Sequence, residues 1–84
     1  MKEELIKLLE NCGYTQTRVG ARAKTYGKVV SGNLIYSLEV VLNVKPKIAF
    51  RVRNTMRTLE HKDKTVGYDE ATDIIKAFDV LAGI

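Results

Sequence analysis

Residues 34–53, LIYSLEVVLNVKPKIAFRVR, decide the fold. Leu34, Tyr36, Leu38, Val40, Leu42 and Val44 fall on alternate positions, the period of a strand with one buried face. Lys45-Pro46 interrupts the run, because proline has no ladder donor. Beyond it Ile48, Phe50, Val52 and Met56 alternate with Lys47, Arg51, Arg53 and Arg57. Two apolar-faced strands around a break predict an antiparallel hairpin.

Working outward, Ser31-Gly32-Asn33 reads as the turn leading into this pair. Upstream, residues 14–30 keep a period of two. Thr15, Thr17, Val19, Ala21, Ala23 and Val29 alternate with Gln16, Arg18, Arg22, Lys24, Tyr26 and Lys28. Gly20 and Gly27 mark bulges or a turn, so this region is one long bent strand or two shorter ones. Downstream, His61-Lys62-Asp63-Lys64 reads as a solvated loop joining a short last strand near Thr65 and Val66.

Helical spacing appears at both ends. Leu5, Ile6, Leu8, Leu9 and Cys12 form one stripe over residues 3–12, and Gly13 stands where a left-handed residue ends a helix. Ala71, Ile74, Ile75, Phe78, Leu81 and Ala82 form another from Asp69 onward, with Asp69, Glu70 and Asp73 near the positive helix start. The expected fold is α+β: an antiparallel three- to four-stranded sheet with N- and C-terminal helices packed on one face, the other face left open.

Eighty-four residues suffice for one small domain, residues 1–84. Hydrophobic residues at 45% and charged residues at 29% match a folding chain rather than a disordered one. Cys12 is the only cysteine, which excludes an intrachain disulfide and fits an intracellular, cytoplasmic setting. No secretory signal is visible. The most apolar stretch, 34–44, is too short and too polar to span a membrane, so no membrane partner is expected.

Net charge is +4 over the whole chain, but its distribution is uneven. Residues 1–14 carry −1, residues 15–64 carry +8 and residues 65–84 carry −3. The strands therefore hold the positive field. By parity, Arg18, Arg22, Lys24 and Lys28 share one side of the first strand region, with Tyr14 and Tyr26 among them. Arg51, Arg53 and Arg57 share one side of the hairpin strand. Cations interleaved with aromatic rings are what single-stranded nucleic acid uses, through phosphate neutralisation and base stacking. A polar open sheet face also needs such residues for solubility alone.

The expectation is a non-enzymatic nucleic-acid-binding module, single strands of DNA or RNA favoured, its interface made of these nine residues. The alternative is a small protein-interaction, accessory or inhibitor module, homodimeric or with a protein partner, using a strand edge or Ile35 and Val41. Glu39 beside them is expected to pair with an arginine across the ladder. Neither cofactor nor metal is expected, since His61 stands alone among histidines and no ligand spacing occurs. His61 reads as exposed and Cys12 as a buried thiol. No phosphate-binding glycine loop is present, and no titratable pair has a sequence context for acid and base roles.

Overall fold

The computed structural model describes residues 2–82, the side chains through Leu81. Seven elements follow in order: α1 (Lys2–Asn11), β1 (Thr15–Val19), β2 (Lys24–Ser31), β3 (Ile35–Leu42), β4 (Pro46–Arg53), β5 (Thr58–Thr65) and α2 (Tyr68–Ala82). The five strands form one antiparallel sheet in the order β1-β2-β3-β4-β5, each beside its neighbour in sequence.

β3 and β4 behave as their alternation requires. Leu38, Val40 and Leu42 are buried, and across the ladder they meet Phe50, Ile48 and Pro46. Leu5 and Leu9 of α1 and Ala71, Ile75 and Phe78 of α2 close over this face, with Phe50 and Phe78 edge to face at 6.2 Å between centroids. Both helices lie on one face, as their single stripes demand. Ala82, placed by spacing on the α2 stripe, has its side chain outside the described residues.

α1 ends in a motif written in the sequence. Gly13 has φ of +84°, the Tyr14 amide donates to Leu9 O (2.9 Å) and the Gly13 amide to Glu10 O (3.1 Å). These two bonds are the Schellman pair, and Leu9 and Tyr14 at its two ends are both buried. A methyl group at Gly13 would have room, its nearest neighbour being Lys28 Nζ at 3.9 Å, so a substitution there is strained by the backbone alone. We expect Gly13→Ala to cost about 1 kcal/mol. Thermal unfolding should register it as a fall of roughly 4–8 °C, and an unchanged midpoint would refute the strain.

The structure departs from the sequence reading in three places. There are five strands rather than three or four, because Thr58–Thr65, expected to be largely a loop, is a full edge strand. All eight of its residues are exposed, so no apolar alternation announces it. Val44 and Met56, read as inward-facing, lie in turns and are 85% and 89% exposed. The third departure is the phase of the first strand region. Residues 20–23 are a turn between β1 and β2, and a bulge at Thr17 shifts the register between Gln16 and Arg18. Each irregularity breaks the single alternation assumed for residues 14–30.

Candidate nucleic-acid interface

The register gives the phase of β2. Tyr26 is opposite Val40, Lys28 opposite Leu38 and Lys24 opposite Leu42, so this parity faces the helices. Tyr14 and Tyr26, expected to stack on bases, are core residues, each 5% exposed. Lys24 and Lys28 are on the covered side too. Lys28 reaches into the helix layer: its Nζ donates to Cys12 O, pairs with Asp79 Oδ1 at 3.2 Å and lies 5.7 Å from the centre of the Tyr14 ring. That cation therefore ties α1, β2 and α2 together. Two large rings and one well-bonded lysine outcompete Val29, which faces out at 64% exposure.

Tyr14 has one further peculiarity. Its hydroxyl is buried with no hydrogen-bond partner, and burial, then the nearby Cys12 and Asp79, push its pKa well above the ordinary tyrosine value. Since an unpaired buried hydroxyl is destabilising, Tyr14→Phe should leave stability unchanged or raise it by up to about 1 kcal/mol. Affinity for nucleic acid should not change. A marked loss of affinity in this variant, measured beside its melting curve, would return Tyr14 to the interface.

The open face carries the opposite parity. Its rows run across the strands: Arg18, Thr25, Val41 and Lys47; Thr15, Gly27, Glu39, Ala49 and Asp63; Val29, Ser37, Arg51 and His61; and Ser31, Ile35, Arg53 and Thr58. Gly27, Ser37 and Ala49 occupy the middle, so little side chain fills it. The result is a depression of about 500 Å³, with Thr15, Thr17, Glu39, Arg51 and His61 among its walls. Thr17 belongs to it because the bulge turns this side chain inward over Gly27.

Of the nine residues expected at the interface, Arg18, Arg51 and Arg53 stand on the open face, Arg22 in the β1–β2 turn and Arg57 at the β4–β5 turn. Arg18 and Arg51 are about 20 Å apart diagonally, from strand spacing and rise. Between them stand residues that sequence reasoning set aside. Glu39 has no ion-pair partner among the described residues, contrary to the cross-strand pair expected of it. His61 is in β5, not in a loop, and its Nε2 is 2.9 Å from Asp63 Oδ1. Lys47 Nζ is 4.0 Å from the other oxygen of that carboxylate. Alternation of His61 and Asp63 was the available signal, but with both faces of β5 exposed nothing marked it as a strand.

Among the described residues, no three histidine, cysteine or acidic side chains gather as a metal site, and no helix is long and apolar enough to cross a membrane. Compared with known proteins, the chain matches no family model, no curated protein and no solved structure.

One contrast among the basic side chains stands out. Lys28, Lys47, Lys62 and Lys64 each have a carboxylate within 4.0 Å. Arg18, Arg22, Arg51, Arg53 and Arg57 have neither an ion pair nor a side-chain hydrogen bond to the described residues. The lysine–carboxylate pairs among the described residues use these four lysines, and no arginine takes part in one.

Proposed function

We propose that this domain binds single-stranded nucleic acid across the open face of its sheet. The observation that carries the reading is the set of five unpaired arginines, three on that face and two in turns at its ends. A guanidinium presents a planar fork of donors that matches phosphate, and it loses less hydration than an ammonium on contact. Free forks along a diagonal of about 20 Å suit a flexible phosphodiester chain crossing the depression.

The revised interface is Arg18, Arg22, Arg51, Arg53 and Arg57, with Lys47 as a sixth, weakly paired cation. Stacking by Tyr14 and Tyr26 is not part of it. Ile35 and Val41, the basis of the protein-partner alternative, are half-buried and belong to rows separated by those of Ser37 and Glu39, so they offer no continuous apolar patch.

Fluorescence anisotropy of labelled single- and double-stranded DNA and RNA, titrated at about 50 and 200 mM salt, tests the proposal. Phosphate neutralisation requires affinity for single strands to fall steeply between the two conditions. Absence of binding at the lower salt, or affinity indifferent to salt, would overturn it.

A further inference from the structure

The depression holds more than cations. Glu39 on β3, Arg51 on β4 and His61 on β5 line it together, although 22 residues separate the first from the last. Arg51 is directly opposite His61 in the ladder, and Glu39 lies one diagonal step from Arg51 on the other side. With strands about 4.8 Å apart and a two-residue offset, the Cα atoms of Glu39 and His61 are about 12 Å apart, with Arg51 on the strand between them. Both side chains can then reach towards one phosphate from opposite sides.

The state of each group is informative. A carboxylate that merely balanced the cationic face would pair with an arginine, yet Glu39 and Arg51 make no ion pair. His61 spends Nε2 on Asp63, which holds the ring and leaves Nδ1 free. One carboxylate, one imidazole and one guanidinium around a single depression form a set suited to proton transfer at a phosphodiester.

We propose that the Glu39–Arg51–His61 depression cleaves single-stranded RNA by transesterification. The inference rests on the nucleic-acid reading above and goes beyond binding. Glu39 takes the proton from the 2′-hydroxyl as its oxygen forms a bond to the adjacent phosphorus. The bond from phosphorus to the 5′ oxygen breaks, and protonated His61 gives that oxygen its proton. Arg51 neutralises the charge that builds on the non-bridging oxygens. The products are a 2′,3′-cyclic phosphate and a 5′-hydroxyl, and proton exchange with water restores Glu39 and His61. The nucleophile belongs to the substrate, so no further reactant is required, and DNA is bound but left intact.

The test uses a 5′-labelled single-stranded RNA, the same sequence in DNA, and its 2′-O-methyl form as a bound but uncleavable probe. Wild-type protein should cut the RNA alone, leaving a cyclic phosphate end. Glu39→Gln and His61→Gln should each lower the rate at least about 100-fold. Glu39→Gln should bind the 2′-O-methyl strand as tightly as wild type or more so, because a negative charge has left the groove. Lys62→Ala, altered on the helix-side face of β5, should cut normally. Melting curves check that each variant is folded. Salt-dependent binding of the 2′-O-methyl strand without scission of RNA would overturn the catalytic inference and leave the binding reading intact. Scission equal in wild type, Glu39→Gln and His61→Gln would overturn it too. Failure to bind any strand would remove both.

Discussion

Arg51→Ala combined with Arg53→Ala is expected to weaken binding of single-stranded nucleic acid roughly 10- to 100-fold at about 50 mM salt and to reduce the salt slope by about 1.4. Both figures come from the same physics. Each neutralised phosphate of a single strand releases condensed counterions worth about 0.7 in the slope, so two lost contacts remove twice that. Arg51 and Arg53 are adjacent open-face positions on β4, and neither holds a carboxylate whose release would confuse the result. The control is Lys62→Ala with Lys64→Ala, on the other face and bound to Glu60 and Glu70. It removes the same formal charge, but its slope should barely move. Equal losses in the two double variants would mean diffuse attraction to a basic protein, and an unchanged slope in the arginine pair would end the assignment.

Leu9→Ala is expected to cost about 3 to 5 kcal/mol, the upper part of the range for emptying a fully buried leucine site. Leu9 is wholly buried, and its carbonyl accepts the bond that turns the chain out of α1. Its side chain shares the core with Tyr14 at the other end of that turn, so the cavity opens where helix, turn and sheet meet. For a domain of this length the whole stability is about 4 to 12 kcal/mol, so much of it would be lost. Thermal melting should fall by more than about 10 °C. Val80→Ala, 70% exposed on α2, should stay within about 0.5 kcal/mol of wild type. If the two variants melted alike, α1 would not be packed as described.

Much of the architecture was legible where one side of an element is covered. Alternation in β3 and β4, the stripes of α1 and α2, and the stop at Gly13 all reflect burial on a single face, which is what periodicity records. β5 escaped because neither of its faces is covered. Its charged alternation, Glu60, Lys62 and Lys64 on one side and His61 and Asp63 on the other, looks like a solvated segment. The candidate interface was half legible. The arginines announced themselves by type, but their partition from Lys24 and Lys28 depended on a turn and a bulge that invert parity, and one residue of slip exchanges the faces. The Glu39, Arg51 and His61 grouping had no local signature at all, since it arises from register across three strands.

The succession of strands has a consequence for how the molecule forms. Every ladder joins segments adjacent in the chain, across turns of three or four residues in all four pairs. Loop closure is therefore cheap at each step, and hairpins of this kind form in about 1–10 μs. Folding can follow the order of synthesis, each strand adding to the last. The docking of α2 beside α1 brings the two ends of the chain together, and until those final fifteen helical residues arrive α1 alone covers the apolar side of β3 and β4. We expect the slow step of folding, and the interval of greatest exposure to misassembly, to come with the docking of that last helix.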